Sequence, residues 1–333
     1  MMPGPLPPLL VTMGDPAGIG GEIIRAAWRD RARLALPPFA VLADPDWLAG
    51  EAGDRCAVDC IGTASDAAGS FDRAIPVLPL AGAAKGRPGA PCLDDAPLVI
   101  EAIARAVDLC LAGAARGMVT APISKANLYA GGFTHAGHTE FIAARTGAEH
   151  AVMMLAGPSL RVVPATIHVP LASVPGLLTT ANLVAVGDVV LAALQRDFGC
   201  ASPRLVYAGL NPHAGENGTI GREDVEIIAP AVQALRALGH DVRGPLPADT
   251  LFHAAARQKW DAAICMYHDQ ALVPVKALDF DQAVNVTLGL PIVRTSPDHG
   301  TAFDIAGKGL ARPESMIAAI RLADAIATRR AGE

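Results

Sequence analysis

Short apolar runs, each broken by a polar or glycine-bearing turn, set the tightest limit on how this chain folds. Residues 9–13 run into Gly14-Asp15-Pro16-Ala17-Gly18-Ile19-Gly20-Gly21-Glu22, and residues 117–120 into Ala121-Pro122-Ile123-Ser124-Lys125. The run 162–167 ends at His168, 205–210 leads through Asn211-Pro212 to His213, and 262–266 leads through Tyr267 to His268. Bounded by turn residues, runs this short fit buried strands better than helices. Longer amphipathic stretches lie between them: 98–112, 183–198, 224–238 and 313–330 read as helices, and another begins near Glu22. Residues 40–43 read as a strand, 152–155 and 162–169 as an antiparallel pair around the Gly157-Pro158 turn, and short strands fall near Val284 and Ile292. The alternation specifies an α/β fold with a mixed sheet. Ligands of such sheets collect at the carboxyl ends of strands.

Composition narrows the class. The chain has 333 residues, 51% hydrophobic and 18% charged, enough for two domains or one large α/β unit with a substantial core. A net charge of −6 without a lysine or arginine block argues against nucleic acid as a partner, so an anionic ligand must be held by local cations. No apolar run reaches the roughly 18 residues that suggest a membrane span. Residues 1–8 are proline-rich without a basic residue, which reads as no secretory signal. Cys56, Cys60, Cys92, Cys110, Cys200 and Cys265 form no C-x-x-C pair and read as reduced thiols of a cytoplasmic protein.

The chemistry concentrates at the strand ends. Imidazoles from His168, His213 and His268, brought to one edge, meet the needs of a divalent ion and leave positions open for substrate. Each alone reads as an ordinary hydrogen-bonded histidine; their shared placement at strand ends brings the metal reading level with that one, and their spacing is no local signature such as H-E-x-x-H. His135, His150, His240 and His253 read as surface or structural. Lys276 and Arg294 flank Asn285; arginine offers anions a planar fork, lysine a point charge. The apolar stretch 284–293 argues against a solvated face there. Gly137-His138-Thr139-Glu140 adds an imidazole and a hydroxyl at a helix start, where Thr139 serves equally as an N-cap. The turn after residue 13 is a plausible anion cradle, but Ile23 stands where a third Rossmann glycine belongs, and no Gly-Lys-Ser/Thr follows. It reads as either a tight βα turn or a ligand contact.

These blocks together resemble the 4-hydroxythreonine-4-phosphate dehydrogenase family. The resemblance rests on Gly14-Asp15-Pro16-Ala17-Gly18-Ile19-Gly20, Thr120-Ala121-Pro122-Ile123-Ser124-Lys125, Gly137-His138-Thr139-Glu140-Phe141 and Leu210-Asn211-Pro212-His213-Ala214-Gly215-Glu216. Pro247-Ala248-Asp249-Thr250, Tyr267-His268-Asp269-Gln270, Asn285-Val286-Thr287-Leu288-Gly289-Leu290-Pro291, Arg294-Thr295-Ser296 and Asp298-His299-Gly300-Thr301-Ala302 complete it. It covers almost the whole chain from Gly14. Gly21 stands where the family usually has proline, and Ala271 where glycine is common; neither removes a proposed ligand.

The resemblance implies an isocitrate/isopropylmalate dehydrogenase-like fold of two α/β domains with a cleft between them. Residues 1–127 with 301–333 would form the cofactor-side domain, and 128–300 the domain carrying metal ligands and dimer interface. It implies that His168, His213 and His268 bind one divalent ion, zinc, magnesium or cobalt, in a homodimer whose subunits share the ligands. His138, Thr139, Lys276, Asn285 and Arg294 would contact a phosphorylated substrate, and Gly14, Asp15, Asp298 and Gly300 would contact NAD or NADP. The implied reaction is oxidation of 4-phosphohydroxy-L-threonine with decarboxylation to 3-amino-2-oxopropyl phosphate, in pyridoxal 5'-phosphate synthesis. Lys276, Asp249 and Asp269 are the candidate proton acceptors. Oxidation of a phosphorylated sugar acid (threonate or erythronate 4-phosphate) or of a cyclic cis-diol stands as the alternative. So do phosphate acyl transfer on a related fold, against which the histidines argue, and non-catalytic metabolite binding.

Overall fold

The computed structural model describes residues 6–51, 53–135 and 137–332. Residues 1–5 of the proline-rich N-terminus lie outside the described residues. The chain forms two compact units: residues up to Glu149 with Leu290–Gly332, and His150–Gly289. The limits fall at 149/150 and 289/290, where the sequence suggested 127/128 and 300/301. A helix at His138–Thr146 explains part of the difference. Its Arg145 makes a two-pronged bond to Asp108, at 2.8 and 2.6 Å, on a helix of the first unit.

The first unit opens with β1 (Leu9–Thr12), α1 (Gly20–Arg29), β2 (Phe39–Ala43), β3 (Val58–Cys60) and β4 (Ile75–Pro79). It continues with α2 (Ala96–Leu111), β5 (Gly117–Thr120), α3 (Lys125–Ala130) and α4 (His138–Thr146). The second unit holds β6 (Val152–Ala156), β7 (Arg161–Pro164), α5 (Thr180–Arg196), β8 (Arg204–Ala208) and α6 (Ala229–Ala237). Then come β9 (Asp241–Leu246), β10 (Ala262–Cys265), α7 (His268–Asp279) and β11 (Val284–Leu288). The chain returns to the first unit with β12 (Arg294–Pro297) and α8 (Glu314–Ala331).

In the first unit the strands lie in the order β3-β4-β2-β1-β5-β12, all parallel. Leu9, Leu10, Val11, Phe39, Val41 and Leu42 are fully buried, as expected of parallel strands covered on both faces. In the second unit the order is β11-β6-β7-β10-β8-β9, with β6 antiparallel to both β11 and β7 and the rest parallel. Its core gathers Leu155, Val162, Val206, Ala263, Val275 and Trp260. The α/β class and the mixed sheet are as expected.

Local departures have local causes. The expected strand 162–169 stops at Pro164, so His168 sits beyond it rather than closing it. The helix expected over 224–238 begins with a π-helical turn, Asp224–Ile228, before α6. The Gly157-Pro158 turn does form: Gly157 N–H donates to Leu160 O at 2.9 Å. Asp279, at the end of α7 and buried, fastens it by accepting from Ser159 N–H and Oγ–H, both at 2.8 Å. Replacing Asp279 with alanine leaves two donors without this acceptor and is expected to lower stability by about 1–3 kcal/mol, read by urea denaturation. A loss under about 0.5 kcal/mol, as at a plain surface position, would show that the turn does not depend on this carboxylate.

Candidate functional site

Within the second unit, β7, β10 and β8 are neighbours and parallel, so their carboxyl ends share an edge. His168 follows β7, His213 follows β8, and His268 is the first residue of α7 directly after β10. The rings of His168 and His268 approach to 5.7 Å between centroids. They line a 270 Å³ pocket with Val169, Leu171, Tyr267 and Asp269. Asp269 lies 2.7 Å from His268 Nδ1. A carboxylate there places the imidazole proton on Nδ1 and leaves the Nε2 lone pair for a ligand, the usual second contact of a metal-bound histidine. Among the described residues no set of three metal-type side chains converges within one chain. The structure brings together two of the three expected imidazoles, those of His168 and His268, within one chain.

His213 occupies an unusual backbone. His213, Ala214, Glu216 and Asn217 all have φ between 41 and 57°, with Gly215 at 74°, a left-handed turn built largely from residues with a Cβ. Each such residue costs about 1–2 kcal/mol, so a run persists only where its surroundings enforce it. The segment leading into the run is fastened by Asp224, which is fully buried. Its carboxylate accepts from Leu210 N–H at 2.9 Å, Asn211 N–H at 3.1 Å and Asn211 Nδ2 at 2.9 Å.

In the first unit, β1, β5 and β12 are adjacent and parallel, and Asp15, Lys125 and Asp298 follow their carboxyl ends. Arg294 opens β12 and is buried, with Nη2 donating to Thr120 Oγ1 at 2.7 Å. Burial lowers its pKa to about 10, while Glu140 opposes the shift; it remains a cation at neutral pH. His138 opens α4, and its Nε2 is shielded from solvent without a hydrogen-bond partner. Burial first, then the positive charges of Arg294 and Lys125, holds its pKa well below the ordinary 6.5. A buried guanidinium with an uncharged imidazole in its field is an arrangement that an anion completes. Thr139 lies half-buried in the first turn of α4, whose N-cap is Gly137, so the capping alternative for Thr139 falls away.

The expected cofactor contacts belong to one region of the same unit. Gly14 takes φ +73°, and a Cβ there would lie 2.5 Å from Pro122 O, so the turn after β1 admits no larger residue without movement. Asp15 is buried and accepts from Ala17 N–H and from Asn127 Nδ2, at 3.0 and 2.9 Å. Burial chiefly raises its pKa, against these hydrogen bonds. The segment after β12 meets this turn, since Ile19 N–H donates to Thr301 O at 3.0 Å and Gly307 N–H to Glu22 Oε1 at 2.6 Å. A 440 Å³ cavity opens beside them, lined by Gly18, Glu22, Trp47, Arg87 and Gly307 among others. Gly14, Asp15, Asp298 and Gly300 do not line it, although Gly14 and Asp15 lead directly into its lining residue Pro16. Trp47, in the short helix Pro45–Ala49, and Arg87, in a loop, were not singled out from the sequence, because neither belongs to a motif.

Lys276 and Asn285 lie in the second unit. The Lys276 ammonium sits 5.1 Å from the Phe280 ring centre, and Asn285 Oδ1 is buried without a partner. Asp249 is exposed in a short helical turn, Ala248–Thr250. Lys125 was missed as a site residue, although it ends the block after β5; its charge acts on His138.

The His138 environment has a pH signature. The folded chain refuses a proton that the unfolded chain accepts below about pH 6.5. The stability contributed by the neutral imidazole is thus full above that pH and declines as pH falls toward the depressed folded pKa. The decline is expected to approach at most about 1.4 kcal/mol per pH unit and to flatten in His138→Gln, read by denaturation between about pH 7 and 5. Identical slopes in both proteins would contradict the assignment.

Comparison with known proteins adds identity to this geometry. The family described as "Pyridoxal phosphate biosynthetic protein PdxA" matches residues 36–323. A relative named 4-hydroxythreonine-4-phosphate dehydrogenase, from Erythrobacter litoralis, is 55% identical over 98% of this chain and 98% of its own. The crystal structure of 4-hydroxythreonine-4-phosphate dehydrogenase from Klebsiella pneumoniae is 40% identical with a TM-score of 0.86, covering 96% of this chain and 99% of that one. A terephthalate 1,2-cis-dihydrodiol dehydrogenase from Burkholderia xenovorans is more distant, at 29% identity and a TM-score of 0.64, covering 96% and 98%. With a match across most of its length and relatives above half identity, the chain belongs to the pyridoxal phosphate biosynthetic protein PdxA family.

Proposed function

We propose that this chain oxidises 4-phosphohydroxy-L-threonine with NAD or NADP and releases carbon dioxide, giving 3-amino-2-oxopropyl phosphate for pyridoxal 5'-phosphate synthesis. The observation that carries the reading is the buried Arg294 with the unprotonated His138 in its field, in a chain whose near-full-length relatives bear the name of this dehydrogenase. In the first unit, Arg294, His138 and Thr139 are the residues we assign to the phosphate; in the second, Lys276 and Asn285 are assigned to polar groups of the substrate. His138 enters uncharged, able to donate to a phosphate oxygen from one ring nitrogen without adding a second buried charge.

The side-chain chemistry fits a divalent ion: two imidazoles close together, one of them oriented by a carboxylate. His168, His213 and His268 would hold zinc, magnesium or cobalt, which when bound favours the alkoxide form of the C3 hydroxyl and polarises the ketone that follows. The nicotinamide supplies the hydride acceptor. The hydroxyl proton passes to a side chain, with Lys276 and Asp249 the acceptors we favour; Asp269 is engaged in orienting His268. Once C3 is a ketone, the carboxylate departs as carbon dioxide, its bonding electrons move into the carbonyl, and a proton taken up at C2 as they return gives the amino ketone phosphate. The 440 Å³ cavity beside the Gly14 turn has the size and the Trp47 face to receive the non-reacting part of the dinucleotide.

The ligand set is read as shared between two copies of the chain. Val169, Leu171, Val273 and Phe280 are exposed at 38, 66, 65 and 68%, on the segment after His168, on α7 and at the cap that ends it. Large apolar side chains exposed beside a site mark an association surface. Free thiols at all six cysteines accord with a cytoplasmic protein. Among the described residues, no single helix is long and apolar enough to cross a membrane.

NADH or NADPH formation from 4-phosphohydroxy-L-threonine is expected to stop with a chelator and return with a divalent ion. Asp269→Asn is expected to weaken metal affinity about 10–100-fold. Arg294→Gln is expected to raise KM about 10–100-fold, the worth of a charged hydrogen bond. No turnover by the metal-loaded protein would sink this reading, and turnover of a cyclic cis-diol instead would move it to the more distant relative's chemistry. Leu171→Asp is expected to give a monomer by light scattering that has lost turnover; a fully active monomer would refute the shared site.

A further inference from the structure

We propose that Gln270 is a positioning residue of the histidine edge, its side-chain amide setting the spacing between the segments that carry His213 and His268. Backbone pairing between β10 and β8 is recorded as far as Ile264 with Tyr207. The same register carried two residues further places Met266 opposite Gly209. There the two chains diverge, one toward Tyr267-His268 and the other toward the left-handed turn. Gln270 spans the gap: Met266 N–H donates to its Oε1 at 2.7 Å, and its Nε2 donates to Gly209 O at 2.7 Å. The amide thus continues the ladder where the backbones no longer reach each other.

Other bonds brace the same chain of contacts. Met266 O accepts from Thr166 Oγ1 at 2.8 Å, which ties the segment leading to His168 into it. Gly209 N–H donates to Leu246 O at 2.8 Å, anchoring the far side to β9. From Thr166 through Met266 and Gln270 to Gly209, one line of hydrogen bonds crosses all three histidine-bearing strand ends. Only a side chain with both a donor and an acceptor at this reach can sit in the middle. A glutamate of the same size has acceptors alone when ionised and would face Gly209 O without a proton to give. The amide orientation is settled by its partners, since the reverse would set Nε2 against an N–H and Oε1 against a carbonyl.

The inference rests on the reading of these histidines as metal ligands, and the test separates the two. Cobalt(II) affinity and the visible absorption of bound cobalt are measured on the full chain as wild type, Gln270→Glu, Thr166→Val and Thr166→Ser, with melting temperature recorded for each. Gln270→Glu is expected to bind cobalt about 10–100-fold more weakly with an altered visible band, and Thr166→Ser to recover much of what Thr166→Val loses. A folded Gln270→Glu chain with unchanged affinity and spectrum overturns the inference. Wild-type protein that ignores cobalt overturns the metal reading instead. In that case, or if the glutamate variant does not fold, hydrogen exchange on the wild-type chain decides. A Met266 amide as protected as Ile264 inside the ladder supports the bridge, and one exchanging like an open turn refutes it.

Discussion

In a parallel ladder every strand leaves the sheet at the same edge, so the loops after neighbouring strands are neighbours before any side chain is considered. Both units use this twice over. In one, β1, β5 and β12 deliver Asp15, Lys125 and Asp298 beyond their ends; in the other, β7, β10 and β8 deliver His168, His268 and His213. The strands themselves are almost wholly buried, and that burial supplies the stability which lets their ends carry costly groups.

Two such costs stand out. A left-handed run with four Cβ-bearing residues follows directly on the Leu210-Asn211 segment that Asp224 fastens, its two carboxylate oxygens meeting three donors. A guanidinium is kept out of water at Arg294 and uses the Thr120 hydroxyl as one acceptor. Neither improves the packing of a core. Their persistence marks these places as shaped for something other than stability, which is how local rules come to be broken at working sites.

Much of this could be read in the residues. The runs that became β1, β5, β8 and β10 are dominated by apolar residues, with polar ones confined to their ends, and burial on both faces leaves that trace. The strands that went unread have prolines, glycine or charge: β4 contains Pro76 and Pro79, β9 contains Asp241, Gly244 and Pro245, and β3 has only three residues. Such sequences look like turns and become strands because a neighbour offers its edge. The histidines were legible as strand-end residues, but their relative placement was not. Whether His213 joins His168 and His268 depends on a backbone conformation that residues with a Cβ rarely adopt, so nothing in Asn211-Pro212-His213 announces it. Gln270 was visible only as part of a motif, because its role lies in two backbone atoms far apart in sequence.

The burial of Arg294 also bears on how the protein meets the ionic atmosphere of its surroundings. Mobile salt ions weaken an attraction only where they can gather around the charges, and the charge on Arg294 is sealed from them. The chain as a whole carries a net −6, so no broad positive field draws anions from a distance. If Arg294 holds the substrate phosphate as proposed, capture depends on contact at short range rather than on steering through solution. Binding of a phosphate at such a place is governed by fit and loss of water, and it should hold nearly level across ionic strengths that would strip the same anion from an exposed lysine.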